Sequence, residues 1–275
     1  MTNAIEIVDS SKDMIAERRS QQDFALANPR NEKAILEGAL AELAMVPELA
    51  EKSFYVIPYK DKETGGIKNV EGPSIKAAMA LGRRWGNCTN GARVADGNDE
   101  RIIVEGVFID LQTNVRTLRT ISVSRYFVSK KTKQRFPLRE DRLNMAIQAG
   151  MSKAVRNATL ATLPAYLVEA HFVEAKRIAG GGKIKGSKVK AAPVPERYKK
   201  MYAQFEILGV DQKLVDSYIN GQVDPSLDES QILGHMIGIY NAIRDHQTTI
   251  EAVFGSDKKS TSSADGAVNP SDLGG

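Results

Sequence analysis

Alternating apolar and polar positions in the middle of the chain predict a β-sheet, and the positions that follow predict a long helix. The runs RIIVEGVFIDL (101–111) and VRTLRTISVSRYFV (115–128) indicate two strands joined by a short turn. A third strand is predicted over Thr89–Ala95, with a hairpin turn at Asp96-Gly97-Asn98, because Asp-Gly favours the positive φ angles of tight turns. From about Glu140 to Leu163 apolar or small residues recur with the 3.6-residue period of a helix.

Shorter elements are predicted on both sides of this core. Helices are expected after the N-cap candidates Asn31 and Ser74, and the run FYVIPYK (54–60) is a candidate fourth strand. Helical spacing returns over 165–178, 197–208, 211–220 and 226–245. The prediction is an α+β fold: a three- to four-stranded antiparallel sheet packed on one long helix, with a small C-terminal helical module.

The domain organisation follows from shifts in composition. Residues 1–30 are polar and predict a flexible arm, and 31–180 form the predicted α+β core. Residues 181–196 are rich in Gly, Lys and Pro and predict a basic flexible linker. Residues 197–254 form an acidic helical module, with nine acids against Lys213 and Arg244 from Phe205 to Asp257. The Ser/Asp/Gly-rich stretch 255–275 predicts a disordered tail.

Composition narrows the class of protein. The chain has 275 residues, a net charge of +4 and 42% hydrophobic residues, which is typical of a globular protein. No apolar run approaches the roughly 20 residues that cross a bilayer. No secretory signal is visible at the acidic N-terminus, and the single cysteine, Cys88, fits a reducing compartment. The expected location is the cytoplasm, that of the host cell if the chain is phage-encoded, with no membrane partner.

Positive charge is concentrated where the predicted sheet meets the long helix. Nine Lys or Arg fall between Arg125 and Arg156 against two acids. Such side chains bind phosphate backbones, and neighbouring aromatic rings can stack on bases. The alternative interpretation is a solvated surface with core aromatics. The candidate DNA-binding residues are Arg83, Arg84, Arg125, Lys130, Lys131, Lys133, Arg135, Arg142, Lys153 and Arg156, and the candidate stacking residues are Trp85, Tyr126 and Phe136.

Several chemistries lack a sequence signal. No Gly-rich segment matches the P-loop pattern, which argues against an ATP-driven enzyme. The three histidines are scattered and none pairs with Cys88 at metal-ligand spacing, so no metal site is predicted. Glu105 and Asp110 are candidate nuclease carboxylates, but their odd separation places them on opposite faces of one strand. We therefore predict no catalytic residues and no cofactor, and a small buried thiol at Cys88.

The predicted sheet followed by EDRLNMAIQAGMSKAVRNATLATLP (140–164) resembles the core of single-strand annealing proteins. These include phage recombination proteins of the RecT, Redβ and Erf kinds and the eukaryotic ring-forming annealing proteins. AIQAGMSKAVRNA (146–158) is similar to the signature helix of that core. The segments VEGPSIKAAMALGRRWGN (70–87) and LGHMIGIYNAIRDHQTTIEAVF (233–254) also resemble phage proteins of this kind. The likeness covers roughly 54–180 and the C-terminal module.

The resemblance implies a protein that binds single-stranded DNA in a basic groove and anneals complementary strands, through a duplex intermediate, without ATP. It implies assembly into rings or helical filaments, and a role in recombination and repair. Arg142, Lys153 and Arg156 on the signature helix would hold phosphates, as would the basic residues of the hairpin. Residues 197–254 would dock a host single-strand-binding protein or a phage exonuclease.

Two further hypotheses stay open on the sequence alone. A metal-dependent nuclease or other DNA-processing enzyme would need several carboxylates that converge on Mg²⁺. An assembly or adaptor protein would carry the same basic residues as ordinary solvated surface and would bind no oligonucleotide at about 0.1 M salt.

Overall fold

The computed structural model describes residues 10–129, 132–182 and 194–255. Helices form both ends of this described chain, and strands form the middle. The ten helices in these residues are α1 (Ser10–Ala27), α2 (Glu32–Met45), α3 (Pro47–Lys52), α4 (Ile75–Trp85), α5 (Glu140–Thr162), α6 (Ala165–Ala179), α7 (Val194–Ile207), α8 (Gln212–Gln222), α9 (Glu229–Arg244) and α10 (Ile250–Phe254).

The strands form three separate antiparallel sheets. They are β1 (Phe54–Lys60), β2 (Ile67–Pro73), β3 (Cys88–Gly97), β4 (Arg101–Asp110), β5 (Val115–Ser124), β6 (Tyr126–Val128) and β7 (Arg135–Pro137). The pairs β1–β2 and β6–β7 are hairpins, and β3–β4–β5 form the central sheet. In the central sheet Val104 lies opposite Val94 on one side and Ile121 on the other.

The central sheet packs on α5 as predicted, which confirms the α+β class. Alternate residues of β4 are buried, among them Ile102, Val104 and Phe108. Gly106 lies between them, and a Cβ there would stand 2.2 Å from the carbonyl carbon of Ala154 on α5. Only glycine permits this approach of helix to sheet. The contact fixes which face of α5 is covered by the sheet.

Two details of the predicted sheet are corrected. The run 54–60 does not join the central sheet, because β1 pairs with β2, a strand the sequence analysis missed. The third strand ends at Ser124, where the Ser124 side chain accepts a hydrogen bond from the Tyr126 backbone and donates one to its carbonyl. The chain then enters the small hairpin β6–β7. The central sheet therefore has three strands.

The segment predicted as a flexible arm contains α1 and a buried anchor after it. Arg30 donates to both carboxylate oxygens of Asp110, at 2.6 and 2.8 Å, and its guanidinium lies 4.4 Å from the Trp85 ring centre. It also donates to the backbone carbonyls of Gly86 and Asn87. Only 6% of the Arg30 side chain is exposed. The polar sequence of 1–30 gave no sign of this tertiary anchor.

The C-terminal helices share a hydrophobic core with the rest of the chain, which corrects the picture of a tethered module. Phe54 and Val56 of β1 are buried in one cluster with Met201 and Phe205 of α7. Gly238 of α9 faces Val56 so closely that a Cβ would stand 2.4 Å from its methyl group. The predicted linker lies mostly outside the described residues, and α7 begins within it. A chain ending near Gly182 would lose most of this core.

Polar contacts strengthen the same junction. The Asn241 side chain, only 1% exposed, donates to the carbonyls of Glu51 and Phe54 at 2.6 and 2.8 Å. Lys200 forms an ion pair with Glu51 at 2.7 Å. Because Asn241 satisfies two buried carbonyls at once, its loss would leave both without partners.

No helix among the described residues is long and apolar enough to cross a bilayer. The same residues contain no group of three or more His, Cys, Asp or Glu side chains placed to hold a metal ion. The predicted tail, 255–275, lies outside the described residues except for Gly255.

Candidate functional site

A groove of about 700 Å³ runs along α5, between the start of α4, the strand β5 and the loop after α9. The helix contributes most of the lining. Small residues pack the helix closely on the central sheet: Gly150 faces Val123, and Ala154 and Ala158 are fully buried. The lining residues are Ile75, Lys76, Ile121, Ser122, Val123, Leu138, Arg142, Met145, Ala146, Gln148, Ala149, Gly150, Ser152, Lys153, Arg156, Asp245, His246 and Gln247.

The groove is strongly cationic. Its lining has four basic side chains, Lys76, Arg142, Lys153 and Arg156, against one carboxylate, Asp245. Arg244 forms an ion pair with that carboxylate at 2.8 Å. In the described parts of the chain neither Lys76 nor Lys153 has a carboxylate within 4.0 Å. The positive charge of these two lysines is therefore not balanced within the groove.

Arg156 is positioned by two neutral neighbours. Its guanidinium lies 5.1 Å from the centre of the Tyr55 ring, and its Nε and Nη2 atoms donate to the Asn157 amide oxygen at 3.2 and 3.1 Å. An aromatic face attracts the cation without neutralising it. The arrangement orients Arg156 at the end of the groove nearest β1 and keeps its full charge.

Apolar side chains line the same groove, among them Ile121, Leu138 and Met145, and 47% of Met145 is exposed. A ligand that combines anionic groups with flat apolar rings matches this mixture of surfaces. Extended single-stranded nucleic acid is such a ligand, because its phosphates follow basic side chains while its bases contact apolar and aromatic ones.

The hairpin β6–β7 borders the groove through Leu138, whose backbone N–H donates to the Arg125 carbonyl. Phe127 and Phe136 stack on each other with ring centres 5.6 Å apart, and 49% and 39% of their surfaces are exposed. The faces and edges of the two rings are therefore partly open to a ligand. The hairpin is thus a second candidate contact for bases.

Two arginines at this hairpin, Arg125 and Arg135, have partners of their own. Arg135 forms an ion pair with Glu100 and lies 4.7 Å from the Tyr126 ring centre. Arg125 donates from Nε to the Asn98 carbonyl at 2.7 Å. Lys133 is exposed and takes a positive φ of 59° in the turn. Lys130 and Lys131 lie outside the described residues.

Arg83, Arg84 and Trp85 belong to a different part of the molecule. Both arginines pair with Glu42 of α2, at 3.8 and 2.6 Å. Trp85 is only 5% exposed, donates from its indole nitrogen to Asp110 at 3.0 Å and is covered by Arg30. The prediction that Trp85 stacks on bases is wrong, because its ring is part of the core.

The candidate nuclease carboxylates do not converge. Glu105 pairs with Arg93 at 2.8 Å, while Asp110 is buried on the opposite face with Arg30. The Cys88 thiol donates to the Gly82 carbonyl at 3.2 Å, and burial raises the pKa of Cys88 to about 11. A thiol with so high a pKa stays protonated at neutral pH and is a weak nucleophile.

Some groove residues were missed because they come from distant parts of the chain. Lys76 lies in the first turn of α4, Tyr55 on β1, and Asp245, His246 and Gln247 in the loop after α9. Nothing in the local sequence marks them. Phe127 could have been found, since it sits in the same run of basic and aromatic residues as Tyr126 and Phe136.

In comparisons with family models, with curated proteins and with solved structures, the chain matches none. The resemblance to annealing proteins therefore stays a prediction from the sequence, and a functional assignment must be argued from the groove itself.

Proposed function

We propose that this protein binds single-stranded DNA in the groove along α5 and anneals complementary strands without ATP. The observation that carries the proposal is the excess of basic side chains in one groove, where Lys76 and Lys153 have no carboxylate partner in the described chain. Lys76 is exposed and Lys153 half-buried, so both ammonium groups are accessible to an anionic ligand. A nucleic-acid backbone supplies negative charge along its length.

Annealing needs strands that are held by the backbone while their bases remain able to pair. The basic residues of the groove suit this, because contacts to phosphates carry no sequence information. Exposed Phe127 and Phe136 beside the groove would separate or support bases without selecting among them. The proposed activity is a binding activity rather than a hydrolytic one.

Assembly into a ring or filament is part of the proposal. The edge strands β3 and β5 of the central sheet have no strand neighbour on their outer sides within the described residues. When the β3 edge of one copy meets the β5 edge of the next, the contact is head-to-tail, and such contacts give rings or open filaments. Many weak groove sites would then act on one strand together.

Docking of a single-strand-binding protein or an exonuclease on 197–254 is proposed in a modified form. Because α9 packs on β1 and α7 packs on α9, a partner would meet only the outer surface of this region. Ile207, which is 81% exposed at the end of α7, offers an apolar contact there.

The test is annealing of two complementary oligonucleotides without ATP or Mg²⁺, followed by fluorescence quenching. We expect the wild-type chain to accelerate annealing and Lys153→Ala/Arg156→Ala to lose most of that acceleration. The matched control is Arg83→Ala/Arg84→Ala, which removes the same charge outside the groove and should anneal like wild type. Circular dichroism and an unfolding curve would establish that both variants are folded.

Wild-type protein that neither binds nor anneals the oligonucleotides at moderate salt would contradict the proposal. Degradation of the oligonucleotides when Mg²⁺ is added to the same mixture would also contradict it and would instead favour the nuclease hypothesis.

A further inference from the structure

The outer face of the β1–β2 hairpin is defined by the register of the two strands. Tyr55, Ile57 and Tyr59 alternate with the buried residues of β1 and so point away from α9. Their cross-strand partners are Gly72, Val70 and Lys68, and directly opposed residues of an antiparallel pair share one face. The hairpin thus carries two tyrosines, two aliphatic side chains and a lysine on one side.

This face continues the groove along α5. The Tyr55 ring lies across Gly72. A Cβ atom at position 72 would stand 3.1–3.5 Å from three atoms of the Tyr55 side chain, so glycine leaves room there for the ring. The same ring lies beneath Arg156, which also lines the groove. One arginine therefore belongs to both surfaces, and a strand that leaves the groove past Arg156 meets the tyrosines next.

The rest of the face is open. Tyr59 and Val70 are 45% and 50% exposed. Tyr59 follows Tyr55 by four residues, a distance of about 13 Å along a strand. Lys68, opposite Tyr59, is 54% exposed while it pairs with Asp61. Because Asp61 balances the charge of Lys68, the cation available next to this face is Arg156, and an exposed ring at the end of a cationic groove is suited to a nucleotide.

We propose that the outer face of the β1–β2 hairpin is a base-binding surface for single-stranded nucleic acid, where Tyr59 stacks on a base and Tyr55 holds Arg156 against the neighbouring phosphate. The inference rests on the proposed function, because it extends the groove. A protein partner is the less favoured occupant, since the face meets Arg156 of α5 and joins a cationic groove.

The experiment separates contacts to bases from contacts to phosphates. Binding of a single-stranded oligothymidylate is compared with binding of an abasic oligonucleotide of the same length and charge, for wild type, Tyr59→Ala and Tyr59→Phe. Stacking on one base corresponds to a factor of roughly 5 or more in affinity. Tyr166→Ala is the matched control, because Tyr166 is also 45% exposed but lies on α6 beside Glu32.

We expect wild type to bind oligothymidylate more tightly than the abasic strand. Tyr59→Ala should lose at least about 5-fold on oligothymidylate and nothing on the abasic strand. Tyr59→Phe and Tyr166→Ala should behave like wild type. An equal loss of affinity for both strands in Tyr59→Ala, or no loss for either, would overturn the inference about the hairpin. The proposed DNA-binding groove would still stand if wild type binds the abasic strand. Wild type that binds neither strand would overturn both.

The last possible outcome is a change in the self-association of the protein. If Tyr59→Ala alters the sedimentation coefficient and leaves both affinities unchanged, the hairpin face contacts a second copy of the chain and the inference is overturned.

Discussion

Arg30 and Arg156 each lie over an aromatic ring, at 4.4 Å from Trp85 and 5.1 Å from Tyr55, yet their surroundings differ. Arg30 is almost wholly buried and donates to a carboxylate and two backbone carbonyls. Arg156 is half-buried and donates to one neutral amide. The two regions differ in charge balance. A carboxylate of the protein balances the charge of Arg30, whereas no carboxylate in the described residues balances that of Arg156.

The comparison shows why the density of basic residues alone is a poor guide to a binding site. Arg83, Arg84 and Arg135 are close in sequence to aromatic residues, but each has a carboxylate partner. Lys76 and Lys153 have none within the described residues and lie in one groove. Partnered cations contribute to stability, whereas cations without partners are available to an anionic ligand. The predictions below test this division.

The largest effect is expected at Arg30. Arg30→Ala leaves the Asp110 carboxylate buried without its main partner, so the free energy of unfolding should fall by about 3–5 kcal/mol. Urea denaturation measures it. Arg84→Ala, whose side chain is 41% exposed, is the control and should cost no more than about 1 kcal/mol. Equal costs for the two variants would contradict the division.

Acid should destabilise the protein through His171, a buried base kept neutral. Burial lowers the pKa of His171 to about 4, and its Nδ1 atom has no hydrogen-bond partner. The unfolded chain binds a proton at His171 more tightly than the folded protein does, because histidine in an unfolded chain has a pKa of about 6.5. The contribution of neutral His171 to the free energy of unfolding is therefore complete above about pH 6.5 and is lost as the pH falls towards 4. We expect a loss of roughly 2–3 kcal/mol between about pH 7.5 and pH 4.5.

The measurement is the urea midpoint as a function of pH, for wild type and His171→Leu. Burial also lowers the pKa of His235 to about 4, so His171→Leu should lose about half of the pH dependence and keep the part that His235 contributes. Asp110 contributes little in this pH range. Burial opposes ionisation of Asp110, but the hydrogen bonds from Arg30 and Trp85 outweigh that effect and lower the pKa of Asp110 to about 2. Its contribution is therefore lost only below about pH 4. A pH profile unchanged in His171→Leu would refute the assignment.

The next effect is on DNA affinity. Lys153→Ala/Arg156→Ala should weaken binding of a single-stranded oligonucleotide roughly 10- to 100-fold, because two charged contacts to phosphate are removed. Fluorescence anisotropy at fixed salt measures it. The unfolding free energy should change little, in contrast to Arg30→Ala. A large loss of stability in the double variant would show that the groove cations act as structural residues.

The smallest effect is expected for Arg83→Ala/Arg84→Ala, which should change oligonucleotide affinity by less than about 2-fold. These arginines already pair with Glu42, away from the groove. Anisotropy under the same conditions provides the comparison. A loss equal to that of the groove variant would mean that net charge, rather than its placement, determines binding.

Local signals predicted much of the fold. The helix after the sheet was placed over about 140–163 and is found at Glu140–Thr162, and both predicted N-caps accept hydrogen bonds from their own first turns. The turn after β3 falls at 98–100, slightly later than predicted. These features depend on residue spacing and on contacts within a few residues, which a sequence displays directly.

The features that depend on distant contacts could not be predicted. Strand β2, IKNVEGP, has little apolar alternation because most of its side chains are exposed, and it is fixed by pairing with β1. The Arg30 anchor joins residues 80 positions apart. The groove likewise combines Lys76, the α5 residues and the loop after α9. Sequence reasoning found the α5 part of that groove and missed the rest.

The salt dependence of single-stranded DNA affinity tests the central claim most directly. For single strands, the slope of log K against log salt is about −0.7 for each phosphate that is neutralised. Four groove cations predict a slope of about −3 or steeper for wild type, which should become shallower by about 1.4 in Lys153→Ala/Arg156→Ala. Arg83→Ala/Arg84→Ala should leave the slope unchanged. A slope that is the same in all three proteins would contradict the claim that the groove along α5 binds the DNA backbone.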